Sequence, residues 1–302
     1  MLGDNSLIFA FFTLSVLVNS ANVMLRSFFL LILLSCLTLA ATFTSAQAPA
    51  PAGKPKVSTT LLVRKPGAWK PLDSGIEHRI ITLERSDPSY SFDLNLVRFG
   101  RNRVFPRIIS SGQFQLKSAD AKTLGQRSGA VVTINANYFD EKGKPLAFLK
   151  TATGEINRNV SKHALYTGVF GVRDSIPFIV HRDDFQLTQA QEAIQSGPLL
   201  LKQGAAMENI PGAGRYSRRA VIGIDKQQRL IVGVTDTVLG GLSFPELQEL
   251  FSRAEWQLET TELLNLDGGG SAQLYIRTRS HEEFISGTSE VPVVIGFFKT
   301  AN

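Results

Sequence analysis

Cysteine is nearly absent: the 302-residue chain has one, Cys36, inside an apolar run close to the N terminus. A disulfide within the chain is thereby excluded, and the fold must be held by its core alone. Histidine is almost as scarce. His78, His163, His181 and His281 stand apart with no metal-ligand spacing, so no metal site and no cofactor is expected. Nothing repeats at a solenoid period, and strands and helices do not alternate as in a βαβ protein. The formal net charge is +6, but the basic residues are scattered and form no recognition module, which argues against a nucleic-acid partner. The mild positive excess favours small anionic partners instead.

The long apolar stretches lie at the front. From Met24 the chain runs through Arg26, an almost wholly apolar Phe28 to Ala40, and small residues through Thr44-Ser45-Ala46. That is a positive n-region, an h-region and a cleavage site, the pattern of an export signal. The run is shorter than the ~20 residues a spanning helix needs, so no membrane span is expected in the mature chain. The earlier apolar segment, Leu7 to Val18, follows Asp4 and no basic residue, which makes Met24 the expected start. Residues 1–46 then form the leader, Gln47 the new N terminus, and the protein is exported, periplasmic or extracellular. Leu33-Leu34-Ser35-Cys36 also resembles a lipoprotein signal, but the apolar run continues to Ala41, which makes lipidation the lesser reading. Residues 47–56, rich in proline and alanine, read as an extended linker. Residues 57–302 suffice for one large domain.

Within that domain, short apolar and β-branched runs recur between glycine and polar turns. Strands are expected at Thr59–Arg64, His78–Glu84, Ser91–Arg98, Val131–Asn135, Gly168–Val172, Pro177–His181, Leu199–Lys202, Ala220–Ile224, Leu230–Val234, Ala272–Arg277 and Val291–Phe298. Asp225 to Gln228 should turn a hairpin. Helices are few: Ser118–Leu124, Thr188–Gln195, and Ser243–Ala254, where Ser243 and Glu246 make a capping box before the apolar stripe of Leu247, Leu250 and Phe251. The expected fold class is α+β, a single strand-rich domain with a mixed or antiparallel sheet and a few helices.

The most informative stretch is Leu264-Asn265-Leu266-Asp267-Gly268-Gly269-Gly270-Ser271-Ala272. An apolar lead-in followed by an acid, three glycines and a serine describes a strand ending in a tight turn whose bare backbone approaches a ligand closely. Read plainly it is a glycine-rich hairpin turn. Read functionally it is a carboxylate beside a row of amides able to bind an anion. Three other segments carry residues unusual for scaffolding: Asn135-Ala136-Asn137-Tyr138-Phe139-Asp140, Ser196-Gly197-Pro198-Leu199-Leu200, and Arg218-Arg219-Ala220-Val221-Ile222-Gly223.

With Gly241-Leu242-Ser243-Phe244-Pro245-Glu246-Leu247, these segments resemble the phosphodiester glycosidase family over about residues 80–300. Ala136 and Asn137 stand where that family commonly has glycines. The resemblance implies an α+β domain and hydrolysis of a sugar-1-phosphodiester, with a phosphorylated glycan as partner. Such chemistry needs a group acting at the anomeric carbon and a cationic cradle for the phosphate. No obvious pair of catalytic carboxylates is present, which suits a phosphate that departs without a strong general acid. Asp267 is the candidate nucleophile or base. Arg219 has the planar fork that grips phosphate, and the Gly268, Gly269 and Gly270 amides face the same anion. Asn135 and Ser271 offer hydrogen bonds to sugar or phosphate, and Gly197 and Asp140 complete the candidate substrate contacts. Asp236 and Asp140 are outside candidates for a second carboxylate, whereas Glu246 is read as a helix cap. A rival of a different class is a non-catalytic domain binding anionic glycans or sugar phosphates in the cell envelope. The oligomeric state is not legible.

Overall fold

The computed structural model describes residues 61–86 and 89–300. The leader, the linker and Cys36 lie outside the described residues. In chain order the elements are β1 (Leu61–Lys65), β2 (Lys70–Asp73), β3 (Ile76–Ser86), β4 (Ser89–Phe99), β5 (Val104–Ser110), α1 (Ala121–Ser128), β6 (Val132–Asn135), β7 (Leu149–Thr151), β8 (Gly154–Asn157), β9 (Gly168–Arg173) and β10 (Ile176–His181). There follow β11 (Glu192–Ser196), β12 (Leu199–Lys202), β13 (Ala205–Ala206), β14 (Ala220–Asp225), β15 (Leu230–Asp236), α2 (Phe244–Ser252), β16 (Thr260–Asn265), β17 (Leu274–Arg277), β18 (Glu282–Ile285) and β19 (Val293–Lys299).

The strands form three sheets. A nine-stranded sheet runs β1-β3-β4-β15-β14-β16-β12-β13 with β2 on β3; a second runs β10-β9-β11-β7-β8 and a third β18-β17-β6-β19-β5. Every strand pairing among the described residues is antiparallel. The domain is therefore mostly β, with two α-helices laid on sheets, and the α+β expectation holds only loosely.

Alternation along the strands explains the layers. On β14, Ala220, Ile222 and Ile224 enter a core shared with Ile134 of β6, Phe170 of β9 and Ile295 of β19, so the inner faces of all three sheets meet there. Val221, between them in sequence, points to the other face and packs against Leu247, Leu250 and Phe251 of α2. Likewise Val132 and Ile134 of β6 face the shared core, while Tyr275 and Val294 of the same sheet pack on α1 through Leu124.

All the expected strands fall on observed strands, although Thr59 and Thr60 lie outside the described residues. The hairpin at Asp225 forms, with Gln228 N donating to Asp225 O and Gln228 in the left-handed region. Helix α1 begins three residues later than expected because Asp120 caps it, accepting from Thr123 N. The helix expected at Thr188–Gln195 is corrected: a short 3-10 turn at Leu187–Gln189 precedes strand β11. Pairing on both edges decides it, since β11 lies between β9 and β7 with every residue buried. Buried polar residues of β11 find partners inside the protein. Glu192 accepts from Ile108 N at 2.7 Å and pairs with Arg107, joining the second sheet to the third.

The cap of α2 forms as expected, and its acid does more. Glu246 closes the capping box with Ser243 and also pairs with Arg85 of β3, which is 1% exposed (Nη1 to Oε1 2.9 Å). Arg85 Nη2 donates to Gly241 O, and its guanidinium lies 3.8 Å over the Tyr216 ring. One cation thus fixes β3, the start of α2 and the loop before β14. Arg85→Met leaves a part-buried carboxylate without its main partner and is expected to lose about 3–5 kcal/mol of stability in denaturant unfolding; a loss below ~1 kcal/mol would contradict this role.

Candidate active site

Strand β16 ends at Asn265, and the next two residues are held from three sides. Asn265 N donates to Pro198 O (3.0 Å), Leu266 N to Ala220 O (2.8 Å) and Asp267 N to Ala136 O (2.9 Å). The carbonyl of Asp267 accepts from Asn135 Nδ2 at 2.6 Å. The starts of β12 and β14 and the end of β6 therefore fix where the Asp267 side chain emerges.

The Asp267 carboxyl receives hydrogen bonds from the Ser271 side chain and the Gly268 amide, yet burial outweighs both and pushes it up to about 6. Two amides of the expected anion nest are engaged within the protein. Gly268 N–H serves Asp267 itself, Gly269 N donates to Arg218 O at 3.0 Å, and Gly270 O accepts from Thr288 N and Ser289 N. The close approach still requires glycine: a Cβ on Gly268 would stand 2.7 Å from Arg218 O.

Asn135 is buried with both ends of its amide engaged, since Oδ1 accepts from Gln273 N at 3.1 Å. Asn135 thus ties the end of β6 to the Asp267 loop and to Gln273. Asp140 Oδ1 accepts from Lys142 N and Lys144 N and closes a turn. Asp236, at the end of β15, is exposed and lies opposite Asp93. Neither Ala136 nor Asn137 has a left-handed backbone, so these positions do not require the glycines common in the family.

Tyr138 links the pieces. Its hydroxyl donates to Gly197 O (2.8 Å) and accepts from Asn265 Nδ2 (3.1 Å). Burial pushes its phenol upward, Asp267 adds to that shift and Arg219 opposes it, so the ring lies within electrostatic reach of both. Tyr166 stacks on Tyr138 at 5.0 Å between centroids, and the His163 ring lies tilted against Tyr166 at 4.7 Å. The loop carrying them is anchored by buried Gln195, which donates to Ser161 O and Tyr166 O and accepts from Ser161 N. Gly197 packs against the same loop, where a Cβ would meet Leu165 O at 2.0 Å. Gly197 therefore supports the aromatic stack through its carbonyl and its lack of a side chain.

Arg219 is 8% exposed, with Nε donating to Leu242 O (2.8 Å), Nη2 to Arg215 O (2.6 Å) and the guanidinium 4.0 Å over the Phe244 ring. Those bonds use two of its five N–H donors; the other three make no hydrogen bond among the described residues. Burial and neighbouring Arg215 lower it to about 10, still charged at neutral pH. A cavity of about 390 Å³ opens here, lined in part by Tyr138, Arg215, Tyr216, Arg219 and Phe244. The Arg215 side chain is exposed and, among the described residues, has no hydrogen bond or ion pair. Another cavity, of about 290 Å³, lies at the far end of β14 around Ile224 and Leu230.

The phosphodiester glycosidase family profile matches residues 128–298. The chain belongs to this family. That span contains every site residue described above. The catalytic domain of zebrafish N-acetylglucosamine-1-phosphodiester alpha-N-acetylglucosaminidase, auto-inhibited by its pro-peptide, superposes with a TM-score of 0.59 at 15% identity, covering 81% of this chain and 89% of that one. A hypothetical protein from Synechocystis superposes with a TM-score of 0.56 at 15% identity, over 78% of this chain and 64% of that one. No curated protein sequence matches the chain. At such identities the structural likenesses show a shared fold.

Tyr166, His163 and Arg215 sit in loops with no local motif, and nothing in the sequence marks them. The histidines stand isolated in the sequence, whereas in the fold His78 and His281 come together with Glu283. Among the described residues no helix is long and apolar enough to cross a membrane.

The raised Asp267 value has a thermodynamic sign. The folded state binds this proton more tightly than the unfolded chain, so stability falls as pH rises from about 4 to about 6, and above that the full cost of the buried charge is present, on the order of 2–3 kcal/mol. Asp267→Asn is therefore expected to stabilise the fold by about 2 kcal/mol at pH 7.5 and by nearly nothing at pH 4, measured by urea unfolding at both. Equal effects at the two pH values, or a loss at pH 7.5, would contradict it.

Proposed function

We propose that the protein is an exported glycosidase that hydrolyses a sugar-1-phosphodiester and releases the sugar from a phosphorylated partner. The observation that carries this reading is the pairing of a desolvated acid, Asp267, with a cationic cavity, joined through Tyr138. Family membership supports the reaction class.

In the reaction the bond between C1 and the bridging oxygen breaks, its electron pair stays on the phosphate, and water supplies the hydroxyl that ends on C1. Asp267 acts at C1 as nucleophile or as the base that takes the proton from water. Poor solvation makes its negative charge more effective toward the positive sugar than the same carboxylate in water. Arg219 presents its three remaining donors to the phosphate, held rigid by Leu242 O, Arg215 O and the Phe244 ring. Arg215 adds a second positive charge at the cavity wall. The Tyr138–Tyr166 stack offers a sugar ring a flat apolar face beside the acid. The exported location rests on the leader pattern and places the substrate in the envelope or outside the cell.

Release of reducing sugar from a panel of sugar-1-phosphodiesters, beginning with one of N-acetylglucosamine, tests the proposal. Wild type is expected to turn over at least one of them, and Asp267→Asn to lower kcat at least ~10³-fold while substrate still binds. Arg219→Lys is expected to lower kcat/KM by about 10- to 100-fold on a phosphodiester and far less on a sugar with an uncharged leaving group. Binding of the panel without turnover by wild type would overturn the proposal in favour of a glycan-binding module, and near-normal turnover by Asp267→Asn would remove Asp267 from its role.

A further inference from the structure

His78 of β3 carries a buried ring nitrogen with nothing to bond among the described residues. The residue is 6% exposed, and its Nε2 has no hydrogen-bond partner among the described residues. An unmet buried polar atom of this kind is destabilising. Two potential metal ligands face it. Glu283 Oε2, on β18, lies 3.8 Å from His78 Nε2, and His281 Nε2 lies 2.9 Å from the same oxygen. The three donor atoms all lie within 4.8 Å of one another.

We propose that His78, His281 and Glu283 form a three-ligand site for a divalent transition-metal ion of the zinc class. Two imidazoles and one carboxylate are a donor set suited to zinc and unsuited to calcium or magnesium, which take oxygen ligands. Tetrahedral zinc with bonds of about 2.0–2.1 Å sets its ligand atoms about 3.3 Å apart, so the present separations need only small side-chain movements. Those movements fall on the residues able to make them, because the side chains of His281 and Glu283 are 32% and 29% exposed whereas His78 is fixed in its strand. That exposure also leaves solvent a fourth coordination position. An ordinary hydrogen bond between His281 and Glu283 leaves His78 Nε2 unmet, whereas an ion between the three satisfies every donor atom.

The ion would join β3 of the nine-stranded sheet to β18 of the third. β18 pairs with β17, the strand that follows the Asp267 loop, so the bridge would brace the hairpin behind that loop without touching substrate. Its effect falls on stability through the linkage of binding to folding.

The test uses the purified protein without an affinity tag, stripped with chelator and titrated with Zn(II) by calorimetry and with Co(II) by visible absorption. One Zn(II) per chain with a low-micromolar or tighter Kd is expected, together with the Co(II) bands of a low-coordinate nitrogen and oxygen site and a Tm raised by Zn(II). His281→Ala and Glu283→Gln, which alter half-exposed side chains, should each weaken Zn(II) binding at least ~10-fold and abolish the Tm shift. His78→Ala should do the same; if it does not fold, the other two variants decide. Absence of one-to-one binding by wild type, or wild-type affinity in His281→Ala, would overturn the proposal.

Discussion

The constraint on which the site depends is the clamping of Asn265 to Asp267 between three elements. Pro198, Ala220 and Ala136 each accept one amide of that segment, and Asn135 returns a hydrogen bond to the Asp267 carbonyl. A backbone held this way cannot move the carboxylate out to water, so the raised pKa of Asp267 follows from the fold. The same clamps bring in the rest of the site. Pro198 is preceded by Gly197, whose carbonyl holds Tyr138, and Ala220 is preceded by Arg219.

Electrostatics then divides the site in two. On one side is an acid that burial makes reluctant to ionise; on the other is a pair of arginines, one anchored and one exposed. Tyr138 is within electrostatic reach of both and titrates far above physiological pH, so it keeps its proton and adds no charge. A sugar phosphodiester has the matching polarity, with positive charge developing at C1 and negative charge on phosphate. The buried Arg85–Glu246 pair supports the cationic side at one remove, since it fixes Tyr216 and the start of α2, which carries Phe244 under Arg219.

Much of this was legible in the sequence because it rests on local chemistry. The run Asn265 to Ser271 combines a strand end, an acid and glycines, and the capping box at Ser243 needs only two residues three apart. The direction of the glycine amides was not legible, because Arg218 O, in the segment just before β14, takes one of them. Asn135 and Asp140 looked like ligands by type; what they bond depends on Gln273 and on a turn closed by Lys142 and Lys144. The helix expected at Thr188–Gln195 failed for a similar reason, since Glu192 and Gln195 find partners far away in sequence, on β5 and in the loop before β9. Tyr166, Arg215 and the grouping of His78 with His281 arise from tertiary folding alone, and no spacing in the chain announces them.

The central claim is that the fold holds Asp267 as a desolvated acid. Carboxyl ¹³C NMR titration of the protein labelled at aspartate, with the Asp267 resonance assigned by its loss in Asp267→Asn, measures that state directly. The account predicts a midpoint near 6 for this resonance. A midpoint at the ordinary aspartate value of about 4 would contradict it.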